Sequence, residues 1–216
     1  MVNLENKAYE VSLQKNPLIT MRVIPGHFTT SRAHISHFLD VSALKSNALV
    51  ARDVARELAI PYLSRTHVET IVCMERTEVI GAYLAEELLQ AGGAVMNEDS
   101  EIFVVTPISS NIGSLSFQSS MIKRITNRNI LLLTATISSG RTLDSALDCL
   151  AYYGGRIVGI SSIFTVPHGI VEHEIHTMFT TDDIPGYALY SSRDCDMCRA
   201  GQKLDALIST EGYTRI

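Results

Sequence analysis

The stretch Thr134-Ala135-Thr136-Ile137-Ser138-Ser139-Gly140-Arg141-Thr142 joins a fully apolar run, Ile130-Leu131-Leu132-Leu133, to an amphipathic segment. Small hydroxyl residues and a glycine ahead of a helix let the backbone close on an anion. The unpaired N–H groups and the positive end of the helix dipole then favour phosphate. Arg141 adds a charge-assisted bond. The same residues also fit an ordinary capped helix, since Ser139 or Thr142 serves as an N-cap in any protein.

A second turn, Cys73-Met74-Glu75-Arg76-Thr77, follows another apolar run. Arg76 can meet a phosphate or pyrophosphate and Thr77 can cap the next helix, while Glu75 works against an anion beside it. A surface Arg beside a capped helix is the plain alternative. Cys195 and Cys198 have metal-ligand spacing, with His168, His173 and His176 upstream. A single Cys pair favours two thiols at the base of a tight terminal turn over a zinc site, and redox use less still. His27, His34 and His37 read as surface or packed residues rather than catalysts.

The elements that must position these residues alternate. Helix patterns cover 42–58, 78–91 and 142–153, and strand patterns cover 70–74, 101–106, 130–134 and 156–164. Leu143, Ala146, Leu147, Leu150 and Ala151 share one helix face, and Gly154-Gly155 stops it. Continuous apolar strands alternating with helices predict a doubly wound, mainly parallel α/β sheet, whose ligands gather at the carboxyl ends of the strands. Ahead of it, strand-like pieces at 18–24 and 34–41 are separated by Pro25-Gly26 and Thr29-Thr30-Ser31 and predict a small N-terminal cap, or hood. The expected organisation is a cap over 1–41, a core over 42–190, and a tail over 191–216 that carries the Cys pair and joins the hood.

The chain's 216 residues suit one compact unit with an appendage, and 46% hydrophobic against 19% charged residues is an ordinary globular balance. A net charge of −5 without Lys/Arg runs excludes a general nucleic-acid binder. No stretch has the length and apolarity of a membrane span, and the start of the chain lacks a signal-peptide pattern, so a cytoplasmic protein with no membrane partner is expected. Four cysteines, two of them inside apolar segments, argue against a disulfide framework.

The first loop resembles the signature of the type I phosphoribosyltransferases: four apolar strand residues, two acids, two variable residues, then Thr-Thr-Gly-Gly-Thr before an apolar helix. Ile130 through Leu133 match the strand, and Ser138-Ser139-Gly140-Arg141-Thr142 match the phosphate loop. Gly26-His27-Phe28, the segment Thr29 through Ser36, and Cys195-Asp196-Met197-Cys198-Arg199-Ala200-Gly201 are similar to the orotate branch. The resemblance spans roughly residues 18–201. It implies that residues 138–142 hold the 5-phosphate of phosphoribosyl pyrophosphate or of a nucleoside monophosphate. It further implies that Glu75, Arg76 and Thr77 face pyrophosphate, that magnesium arrives with the ligand's diphosphate, and that the protein pairs as a homodimer.

Two departures bear on activity. The family's two acids align with Thr134 and Ala135, and neither supplies the negative charge that stabilises a cation-like ribosyl centre. The family's mobile loop carries Lys and His, whereas residues 77–122 contain no Lys, Arg or His. Three functions follow from these observations: a phosphoribosyltransferase of the orotate type, a catalytically impaired homologue that senses a nucleotide or sugar phosphate, or a subunit that binds nothing.

Overall fold

Leu131 and its neighbours in the apolar run have no polar side chain to turn toward water, and they become the centre of a sheet covered on both faces. The computed structural model describes residues 4–30, 33–90, 97, 101–110, 114–167, 173–209 and 212–216. The chain begins with β1 (Tyr9–Leu13), β2 (Asn16–Thr29), β3 (Ala33–Asp40), α1 (Ser42–Ser46) and α2 (Ala48–Ala59). It continues through β4 (Thr70–Cys73), α3 (Glu78–Gln90), β5 (Phe103–Val105), β6 (Ile108–Ser109), β7 (Leu115–Ser116), α4 (Ser119–Ile122), β8 (Asn129–Ile137) and α5 (Arg141–Tyr152). Then come β9 (Arg156–Thr165), β10 (Ile175–Thr180), β11 (Leu189–Ser191), α6 (Asp196–Arg199), β12 (Ala206–Ser209) and β13 (Gly212–Arg215).

Two units result, Ala43–Phe179 and the combination of Met1–Ser42 with Thr180–Ile216. In the first, the strand order is β10-β9-β8-β4-β5, and β8 pairs in parallel with both β4 and β9, as β4 does with β5. The four residues from Ile130 to Leu133 are fully buried. Leu143, Ala146 and Leu150 return every three or four residues to press α5 on the sheet. Gly154, at φ 75°, ends that helix; its N–H bonds Ala151 O and the Gly155 N–H bonds Leu150 O. The helix expected over 42–58 is two helices, because the Asn47 side chain accepts from the N–H groups of Leu49 and Val50 and restarts the helix there.

The second unit is a sheet in the order β11-β3-β2-β12-β13, with β1 also on β2. The pieces expected over 18–24 and 34–41 are the longer β2 and β3, antiparallel to each other across a bulge between Pro25 and Phe28. Leu4, Ile24, Phe28, Ile35, Phe38 and Ala206 form its small core. Residues 180–190, expected in the core domain, group here because β11 pairs antiparallel with β3. β12 lies parallel to β2, which brings the tail to the N-terminal strands. No helix among the described residues is long and apolar enough to cross a membrane.

Candidate functional site

The strand expected to end near Thr134 runs on to Ile137, since Thr134, Thr136 and Ile137 pair with Ser162, Phe164 and Thr165 of β9. Alternate side chains therefore face opposite sides through the positions that align with the family acids. Thr134 and Thr136 turn toward the end of β4, and Ala135 turns into the interior, 2% exposed.

Beyond β4 the backbone N–H of Met74 bonds Leu133 O, after which Glu75 and Arg76 both take left-handed conformations, φ 53° and 63°. Two consecutive non-glycine residues in that region are uncommon, and such strain persists where the surroundings hold it. Here it swings the Glu75 carboxylate onto β8. Its Oε2 accepts from Thr136 N–H at 2.9 Å, from Thr134 Oγ1 at 3.1 Å and, at longer range, from Thr136 Oγ1 at 3.4 Å. Lys45 Nζ donates to the Glu75 carbonyl at 2.9 Å, a cation beside this turn that nothing in the local sequence announces. Thr77 is buried, and its hydroxyl donates to Met74 O at 2.8 Å, which ties down the turn. Burial pushes the neighbouring Cys73 thiol up to about 12, with a smaller opposing effect from Thr77, which disfavours its thiolate.

The phosphate-loop candidates lie directly beyond β8. The N-cap of α5 is Gly140, at φ 76° and ψ −19°, and among the described residues no side chain caps the helix. Neither Ser139 nor Thr142 takes the capping role that the sequence allows. The first-turn N–H groups of α5 are thus left to an incoming acceptor. An open hollow is lined by Glu75, Thr136, Ser138, Ser139, Gly140 and Thr142, together with Ile137 and Leu143. Arg141 is exposed at the first turn and is not among the lining residues, and exposed Arg76 is not among them either.

A magnesium ion is consistent with this donor set only in part. One carboxylate, already accepting from three donors, and two threonine hydroxyls are hard oxygen ligands, so most of the coordination would come from a ligand's phosphates and from water.

In the other unit the Cys pair stands at α6, with Cys195 buried and Cys198 exposed. Of the histidines just upstream in sequence, His168 lies outside the described residues, and His173 and His176 belong to the Ala43–Phe179 unit. Among the described residues, His27 and His34 join the Cys pair.

No protein-family model matches this sequence, and no curated protein does. Solved structures match the fold. UMP synthase from Leishmania donovani superposes with a TM-score of 0.54 at 16% identity over 74% of this chain, which corresponds to 34% of that longer chain. Adenine phosphoribosyltransferase from Leishmania donovani gives 0.52 at 14% identity, over 74% of this chain and 78% of that one. The enzyme of the same name from Leishmania tarentolae gives 0.50 at 16% identity, over 68% and 78%. The parallel sheet, the strand-to-helix loop after β8 and these superpositions agree: the chain has the type I phosphoribosyltransferase fold, with Thr134 and Ala135 where the family pattern carries two acids.

Proposed function

We propose that this protein binds phosphoribosyl pyrophosphate or a nucleoside 5′-monophosphate, as a phosphoribosyltransferase-like protein of the orotate type. The observation that carries the reading is the uncapped N-terminus of α5 behind Gly140, opening on a hollow of small hydroxyl residues. A 5-phosphate there accepts from the first-turn N–H groups and from Ser138, Ser139 and Thr142. Glu75 stands on the same hollow, where it can accept from a ribose hydroxyl or share a magnesium ion carried by the ligand's diphosphate.

Transfer would break the bond between ribose C1 and pyrophosphate and form one to a ring nitrogen of the base, with positive charge building on the ribose. Glu75 is the one hollow-lining residue able to oppose that charge. A second reading, a nucleotide or sugar-phosphate sensor with impaired turnover, is favoured by the buried methyl of Ala135 and by the absence of Lys, Arg and His from residues 77–122.

Calorimetry with phosphoribosyl pyrophosphate and with nucleoside monophosphates, with and without magnesium, tests the binding. Ser139→Glu puts a negative charge at an exposed loop position and is expected to weaken binding at least about tenfold. Failure of every such ligand to bind the folded wild-type chain would overturn the proposal. Pyrophosphate release assayed across candidate bases then separates the two readings: turnover supports the transferase, and binding without turnover supports the sensor.

A further inference from the structure

The geometry points to a structural zinc site of two histidines and two cysteines, His27, His34, Cys195 and Cys198, which clamps the C-terminal tail onto the N-terminal strands. One ligand atom from each of the four residues lies within 4.8 Å of the other three.

The sheet and the tail build this cluster from distant parts of the chain. Thr29 pairs with His34 across β2 and β3, and His27, two residues before Thr29, returns to the same face. The tail arrives because β12 runs parallel to β2, with the backbone of Asp205 bonded to His27 O at 2.8 Å and the Asp205 carboxylate accepting from the His27 N–H at 2.8 Å. One turn of α6 then presents both thiols. Arg199 N–H bonds Cys195 O, Gly201 N–H bonds Cys198 O, and Gly201 closes the turn at φ 74°.

The distances fit tetrahedral coordination. With zinc–sulfur and zinc–nitrogen bonds of ordinary length, two nitrogens stand about 3.3 Å apart and a sulfur and a nitrogen about 3.6 Å apart. His27 Nε2 and His34 Nδ1 are 3.1 Å apart. Cys195 Sγ lies 3.5 Å and Cys198 Sγ 3.7 Å from His27 Nε2, and Cys198 Sγ lies 3.3 Å from His34 Nδ1.

Hydrogen bonds alone account poorly for this convergence. His27 Nδ1 lies 2.9 Å from the carbonyl of Gln202, which can only accept, so Nδ1 donates to it, and in the neutral ring Nε2 is then a bare lone pair. Three groups crowd onto that one lone pair. A divalent cation at the centre would instead meet four lone pairs at once, and the Gln202 carbonyl would serve as the partner that fixes a ligating imidazole. Two thiolates balance the charge of the ion, and the mixed sulfur and imidazole donors select zinc over magnesium or calcium. The clamp joins residues 168 apart in sequence in a unit whose apolar core is small.

The test is the metal content of the full-length chain, expressed with zinc in the medium and purified without chelator under reducing conditions. About one zinc per chain is expected by elemental analysis. Cys198→Ala and His34→Gln should each lower this at least about tenfold, while Cys149→Ala, outside the cluster, should leave it unchanged. Cobalt exchanged into the folded wild-type chain should give the intense visible bands of a tetrahedral site and thiolate charge transfer in the near ultraviolet, a readout that does not depend on how the variants fold. The inference is overturned if the folded wild-type chain holds no more zinc than Cys198→Ala, if cobalt gives only weak octahedral bands, or if a Cys195–Cys198 disulfide forms in place of metal.

Discussion

Thr134 donates its hydroxyl to Glu75 Oε2 across 3.1 Å, so a carboxylate borrowed from the turn after β4 reaches the strand position where the family pattern would supply its own acid. The Thr136 N–H holds the same oxygen at 2.9 Å. A carboxylate therefore stands at the neighbouring strand end, beside two positions that carry none. Glu75→Gln keeps the shape and an acceptor oxygen while removing the charge. It should weaken magnesium-dependent binding of phosphoribosyl pyrophosphate about tenfold, roughly 1.4 kcal/mol, and leave nucleoside monophosphate binding within about threefold. Calorimetry that finds both ligands equally affected would remove Glu75 from the role proposed for it.

Replacing the two acids should destabilise this structure rather than restore a family site. Ala135 points into the interior at 2% exposure, where an introduced carboxylate loses its hydration. Ala135→Asp should cost about 3 kcal/mol or more of stability. Thr134→Asp puts a second carboxylate beside Glu75 and should cost about 1–2 kcal/mol. Urea midpoints at neutral pH order the two variants, and an Ala135→Asp chain as stable as wild type would contradict the side-chain direction described for β8.

Gly140 opens α5 from a left-handed conformation that a branched side chain resists. Gly140→Val should cost about 1–2 kcal/mol and, by shifting the first-turn N–H groups, lower phosphate-ligand affinity more than about tenfold. Arg141→Gln should change that affinity less than about threefold, because Arg141 stands outside the hollow. If Arg141→Gln is the more damaging of the two, the guanidinium rather than the backbone makes the anion site.

Periodicity exposed the sheet well. The apolar run at Ile130 and the three-to-four spacing of Leu143, Ala146 and Leu150 depend only on local residue order, and the loop between them was readable for the same reason. Glu75 was visible as a neighbour of the site, but its bond to Thr134 depends on two left-handed residues that neither glycine nor asparagine announces. Lys45 reaches the same turn from a helix thirty residues away, and no spacing rule encodes that distance. The histidines illustrate the same limit. His27 and His34 become neighbours through hairpin register and a bulge, while His173 and His176, nearer the Cys pair in sequence, lie in the other unit.

At the start of β4, Glu69 joins strands at the sheet end opposite the loops and predicts acid sensitivity. Its carboxylate takes Arg128 Nη1 at 2.6 Å and Asn129 N–H at 2.9 Å. Burial works to raise this carboxyl, and the Asn129 N–H together with Arg128 more than offsets it, holding the group below its ordinary value of 4.5. Between the folded value and 4.5 the unfolded chain binds more protons, so stability rises with pH across that window. The contribution is complete above the unfolded value and is lost as pH falls through the folded one. Arg128 is 41% exposed, so solvent screens its part, and Glu69→Gln should cost about 1 kcal/mol near neutral pH. Thermal midpoints of wild type and variant should differ by about 2–4 °C at neutral pH and converge as acid titrates the wild-type carboxylate. A gap that persists undiminished well below that window would assign the loss to packing at Glu69 rather than to its charge.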